Sequence, residues 1–169
     1  MMSINRNLPL KITGRCMEVA RRRFRPAVFA GIAGALLVAG SAFAQGLPNP
    51  TLQEVLIKAS LLTFNDANVT GNYTVLHAKL SKPFRDQFSP EQLKESFKSF
   101  AEGHLDFDII AAKPIIPTSE AQINSSGVLM LLGYFDTTPS RVTYDLNFIR
   151  SEGEWKLSKL NVGVKPSAQ

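Results

Sequence analysis

VLMLLGYFDTTPSRVTYDLNFIRSEGEWKLSKLNVGV, residues 128–164, is the stretch whose reading decides the fold. Within it, 141–150 alternates. Val142, Tyr144, Leu146 and Phe148 face one way and Thr143, Asp145 and Asn147 the other, the period of a half-buried strand. Residues 128–135 are apolar on both parities apart from Gly133, which predicts a strand covered on both faces. Ser151-Glu152-Gly153-Glu154 turns the chain, and a last strand is predicted over 155–164. Its apolar parity flips between Leu157 and Leu160, which predicts a β-bulge near Ser158-Lys159 that bends the strand.

Working back from this meander, 107–112 reads as a strand limited by Pro114 and Pro117, and 120–124 as a short one. Asn124-Ser125-Ser126-Gly127 is a hairpin turn. Before residue 105 the period is helical. A first helix is predicted over 51–65, with one stripe of Leu52, Val55, Leu56, Ala59 and Leu62 and a second of Ile57, Leu61 and Phe64. A helix apolar on two sides is expected to be buried on most of its circumference. Residues 66–72 read as a break, with Thr70 as N-cap of a short helix presenting Tyr73, Leu76, His77 and Leu80. Lys82-Pro83 is expected to stop it. A third helix starts at Ser89-Pro90-Glu91-Gln92, a capping box with proline in the first turn. It carries Leu93, Phe97, Phe100 and Ala101 inward and stops at Gly103. Helices followed by an antiparallel meander predict an α+β domain with its helices on one face of the sheet.

The 169 residues carry a formal charge of +5, which suggests a nucleic-acid or membrane binder. The excess is local. Seven of the 19 Lys and Arg and one of the 14 Asp and Glu precede Gln45, leaving 12 basic and 13 acidic residues and a formal charge of −1. Arg21-Arg22-Arg23 and Arg25 lead into an uncharged run over 27–44 that closes on Ala42-Phe43-Ala44, the pattern of a signal peptide cleaved between Ala44 and Gln45. Met17 is a plausible start, giving a signal of ordinary length. Arg21-Arg22-Arg23-Phe24 has the look of a twin-arginine motif, although Arg25 and Pro26 depart from it. The expectation is therefore a signal peptide over 1–44 and an exported domain over 45–169, periplasmic or secreted, touching the membrane only through an uncleaved signal. No Lys/Arg run follows Arg25, so nucleic acid drops out as a partner. The single cysteine, Cys16, also precedes the cleavage site, which removes disulfide, thiol-nucleophile and thiolate-metal chemistry from the exported domain.

Three segments carry a family resemblance: Asn68-Val69-Thr70-Gly71-Asn72-Tyr73 before the second helix, 84–88 followed by Ser89-Pro90-Glu91-Gln92-Leu93, and Gly153-Glu154-Trp155-Lys156-Leu157 at the final hairpin. Their order over 50–165 resembles the nuclear transport factor 2-like (NTF2-like) superfamily, which includes ketosteroid isomerase and scytalone dehydratase. The resemblance implies three N-terminal helices packed in a curved antiparallel sheet, with a conical pocket around the first helix. It also implies a homodimer formed through the outer sheet face. It does not imply an activity, since such folds host many.

Candidate chemistry is sparse. His77 could serve as a general base, or simply be a half-buried, hydrogen-bonded histidine. His104, Asp106 and Asp108 would share one face of a strand, a spacing suited to a hard cation or an acid–base pair, or to solvated charges at the strand entrance. They supply too few ligands for a metal site, and no metal or cofactor is expected. Tyr134, Asp136 and Tyr144 invite comparison with ketosteroid isomerase, while the Asp/His pair of scytalone dehydratase has no counterpart that aligns. Arg141 could hold an anion or pair with Asp136. The catalytic candidates are thus His77, Asp108 and Tyr134, and the ligand-binding candidates Tyr73, Tyr134, Arg141 and Tyr144. No phosphate loop, nucleophile elbow, zinc-protease or EF-hand motif occurs. The leading expectation is a non-catalytic module that binds a small apolar or amphipathic ligand or a protein partner. The alternatives are a cofactor-independent isomerase, dehydratase or hydrolase, and an envelope assembly protein.

Overall fold

The computed structural model describes residues 46–166, and the expectations for the signal peptide, Met17, Cys16 and the Ala44–Gln45 cleavage lie outside them. The described chain is α+β: five α-helices, a 3-10 turn and an antiparallel open sheet of five strands. Helix α1 (Pro50–Thr70) starts on Asn49, whose side chain accepts from the Leu52 amide at 2.8 Å, and ends at Gly71 in the left-handed region, φ 67°. It is six residues longer than the sequence predicts, five of them at its C-terminal end. The polar residues read as a break are drawn into the helix. Asn68 Nδ2 donates to the Phe64 carbonyl, and Asn65 is buried against the loop beyond the helices.

Helix α2 (Thr74–Lys79) therefore begins after Tyr73, not at Thr70. α2 ends at Lys79, three residues before Lys82-Pro83, with Leu80 and Ser81 extended, and the proline sits in the first turn of a new helix, α3 (Lys82–Arg85). The capping box at Ser89 forms as predicted and opens α4 (Pro90–Ser96). The expected single third helix is broken at Phe97, and α5 (Lys98–Glu102) follows. The break turns Phe97 and Phe100 onto the same ring. Both meet Phe64 edge-to-face, at 4.7 and 5.2 Å between centroids.

The strand predicted over 107–112 is instead a 3-10 turn, Asp108–Ala112. Only Phe107 and Ile110 are buried, a spacing of three that a 3-10 turn presents on one side. The sheet order is β1 (Ile116–Pro117), β3 (Leu129–Phe135), β4 (Ser140–Ser151), β5 (Glu154–Pro166), with β2 (Gln122–Ile123) paired to the other end of β3. The bulge lies where predicted: Asn147 pairs with Lys159 and Phe148 with Leu157, leaving Ser158 as the extra residue. Glu152 and Gly153, both at positive φ, close the β4–β5 hairpin.

Leu129, Leu131 and Phe135, Val142 to Phe148 at alternate positions, and Trp155, Leu157, Leu160 and Val162 form the inner sheet face. Against it pack Ile57, Leu61, Phe64 and Ala67 of α1, with Leu76, Leu80, Leu93, Phe107 and Ile110, in one continuous core. The second apolar stripe of α1 is buried in that core, and from the first stripe only Leu56 and Leu62 pack against it, half-buried. Leu52 and Val55 of the first are 40% and 54% exposed, so α1 is not buried on most of its circumference. Nor is β3 covered on both faces within one chain: Met130, Leu132 and Tyr134 are half-exposed.

Candidate functional site

Ile57 is the first buried residue of α1, so the turns before it project past the packed end of the core. Facing them is the segment 114–121, where Pro114 and Pro117 lack amide donors, β1 pairs with β3, and the Thr118 amide donates to the Leu132 carbonyl at 3.1 Å. Between the two lies a cavity of about 650 Å³, within the size range of small-molecule sites. Ile57, Ile115, Leu131 and Leu132 supply apolar walls, and Gln53, Glu54, Thr118, Ser119, Glu120 and Tyr144 supply the polar atoms.

Tyr144 holds the floor. It is 4% exposed, packs its ring 5.9 Å from Phe135, and sits opposite Gly133 in the β3–β4 register. A Cβ on Gly133 would lie 2.5 Å from the Tyr144 hydroxyl oxygen and 2.5 Å from the Ile116 carbonyl oxygen. Glycine at 133 is what lets the tyrosine lie across its neighbour strand toward β1. The Tyr144 hydroxyl makes no hydrogen bond among the described residues, and burial pushes its pKa up to about 12, so it is neutral at physiological pH.

The remaining polar groups favour acceptors. Gln53 donates through Nε2 to the Pro48 carbonyl at 2.7 Å, leaving its amide oxygen. Glu54 Oε1 pairs with Lys58 at 2.9 Å, and Glu120 has no ion pair or hydrogen bond among the described residues. No Lys, Arg or His lines the cavity. A second, smaller hollow of about 150 Å³ lies on the opposite flank of α1, between Val55, Ala59, Lys79 and Trp155.

Of the catalytic and ligand-binding candidates, only Tyr144 lines either space. Tyr73 is core: 2% exposed, pushed up to about 12 by burial, and donating its hydroxyl to Asn68 Oδ1. His77 is half-buried on α2, its Nε2 3.4 Å from the Arg85 carbonyl oxygen. Asp108 and Asp106 accept from the same Asn65 Nδ2, at 2.7 and 2.9 Å, and Asn65 Oδ1 accepts the Phe107 amide. The Asn65 amide first, then the Asp108 backbone amide, hold the Asp106 carboxyl below its usual range. His104 sits apart at φ 46°, so the three residues expected on one strand face are not aligned on a strand. Among the described residues no group of three or more His, Cys, Asp or Glu could hold a metal ion.

Tyr134 is on the opposite face from Tyr144. Arg141 lies 4.2 Å above its ring and pairs with Asp136 at 2.9 Å, the second of the two roles considered for that arginine. His77, Asp108 and Tyr134 thus have separate partners on separate elements and do not converge on either cavity. The residues that the sequence reading missed, Gln53, Glu54, Glu120 and the prolines of 114–117, carry no motif. No helix among the described residues is long and apolar enough to cross a membrane. No family model, no curated protein and no solved structure matches the chain.

Proposed function

We propose that the chain is an exported, non-catalytic module that binds a small apolar or amphipathic molecule between the first turns of α1 and the floor of β3 and β4. The observation that carries this is the cavity of about 650 Å³ with an unpartnered tyrosine hydroxyl in its lining. The export half of the proposal rests on the Arg-rich cluster and the uncharged run ending at Ala44. The helices on one face of a bulged antiparallel sheet are consistent with a pocketed NTF2-like domain, and the half-exposed Met130, Leu132 and Tyr134 are where a second copy would pack. The competing acid–base enzyme has no observation in its favour, since its three candidate groups do not meet.

The test is titration of the full chain with N-phenyl-1-naphthylamine, a neutral dye that brightens in apolar surroundings. Saturable brightening is expected, and its loss on Ala121→Trp, which fills the cavity from its wall, with far-ultraviolet circular dichroism unchanged. Absence of saturable binding, or wild-type binding by a folded Ala121→Trp variant, overturns the proposal. Native mass spectrometry of the same sample reads the oligomer.

A further inference from the structure

We infer that the ligand of this cavity carries a positively charged nitrogen on its apolar body. The inference deepens the binding proposal above and rests on it. The charged side chains of the lining are both acidic, Glu54 and Glu120; the Gln53 amide oxygen accepts, and the Thr118, Ser119 and Tyr144 hydroxyls can accept as well as donate. Lys58 compensates one carboxylate, by its 2.9 Å pair with Glu54. Glu120 is compensated by nothing among the described residues. The site therefore keeps an uncancelled negative charge beside apolar walls.

A carboxylate or phosphate ligand meets like charge here and no cationic donor, which disfavours it. A neutral apolar molecule fills the walls but leaves the Tyr144 hydroxyl unmatched and gains no charge contact with the exposed Glu120 carboxylate. An ammonium group meets opposite charge at Glu120 and Glu54 and acceptors at Gln53 and Tyr144. The buried phenol is the second, independent feature. Its residue is 4% exposed, and its hydroxyl stands in the cavity wall with no hydrogen-bond partner among the described residues.

Three probes of one rigid apolar body separate these cases: 1-adamantanamine, 1-adamantanol and 1-adamantanecarboxylate, each used to displace N-phenyl-1-naphthylamine from the full chain. The amine is expected to displace the dye at about tenfold lower concentration than the carboxylate, with the alcohol between, as expected for partly exposed charge pairs. The ratio should shrink toward one in Glu120→Gln, and as salt rises. Glu54→Gln should reduce it too, by less, because Lys58 already neutralises that carboxylate. Both glutamates are exposed, so the variants are expected to fold. Equal displacement by amine and carboxylate overturns the inference while leaving the cavity a binding site. An amine preference that survives both substitutions overturns it too, by placing the cation elsewhere. Failure of the dye to bind removes both readings.

Discussion

Tyr73 and Tyr144 are both buried, at 2% and 4% exposure, yet removing their hydroxyls should have different effects. The Tyr73 hydroxyl donates to Asn68 Oδ1, and Asn68 is itself 3% exposed with its Nδ2 committed to the Phe64 carbonyl at 2.8 Å. Tyr73→Phe therefore strands a buried amide oxygen with no water to replace the phenol. Such a loss costs about 1–3 kcal/mol. The Tyr144 hydroxyl has no partner among the described residues, so Tyr144→Phe breaks nothing and removes a polar atom from a largely apolar environment. Its effect should lie between zero and a gain of about 1 kcal/mol. A gap of about 2 kcal/mol between the two variants follows from the hydrogen bond alone. At about 4 °C per kcal/mol for a domain of this size, the melting temperatures should differ by about 8 °C, with Tyr73→Phe the lower. Urea unfolding with a common slope provides the assay, since an unchanged slope shows that only stability moved. If Tyr144→Phe loses as much as Tyr73→Phe, the Tyr144 hydroxyl is a structural bond. The cavity would then lose its polar marker.

Both phenols are pushed up to about 12 by burial, above the ordinary value of 10.0, so the native state prefers them protonated. Their contribution is fully present below pH 10 and is lost as pH rises toward 12, so alkaline unfolding should shift upward in Tyr144→Phe, which loses no hydrogen bond. Asn65→Asp would set a third carboxylate against Asp106 and Asp108. The variant should lose about 3 kcal/mol at pH 7 and recover as pH falls toward 4, where the crowded carboxylates take up protons, whereas Asn65→Ala should show no such recovery. Gly133→Ala should cost about 2 kcal/mol or more. Adding Tyr144→Phe should not rescue it, because the Ile116 carbonyl is backbone and cannot swing away from the new methyl as a side chain can. Full rescue in chemical denaturation would show that the tyrosine alone sets the clash. Ser81→Ala should be neutral or stabilising by up to about 1 kcal/mol, since the buried Ser81 hydroxyl has no hydrogen-bond partner, and a clear loss of stability would refute that placement.

What the sequence determined by itself are features whose causes lie within a few residues. The alternation over 141–150, the Glu152-Gly153 turn, the Ser89–Gln92 capping box and the hairpin turn before Val128 were all legible because periodicity and turn chemistry are local. The bulge at Ser158 was legible for the same reason: an inserted residue in a half-buried strand must flip its parity. Tertiary structure decided what depended on distant partners. Residues 107–112 carry an apolar composition that suits a strand, but Asn65, more than forty positions earlier, accepts the Phe107 amide, and Phe107 and Ile110 turn to the core together. Asn68 reads as a loop former until Tyr73 engages it from inside a longer α1, and Asn65 reads as the end of the helix until Asp106 and Asp108 engage it. The helix after Ser89 breaks at Phe97 because two rings are drawn to Phe64. The cavity is the extreme case. Its walls come from residues 50–57, 114–121 and 131–144, and no spacing along the chain relates a carboxylate at Glu54 to one at Glu120. Only the register of β3 on β4, which lays Tyr144 across Gly133, and the pairing of β1 with β3, extended by the Thr118 amide on the Leu132 carbonyl, bring those groups around one space.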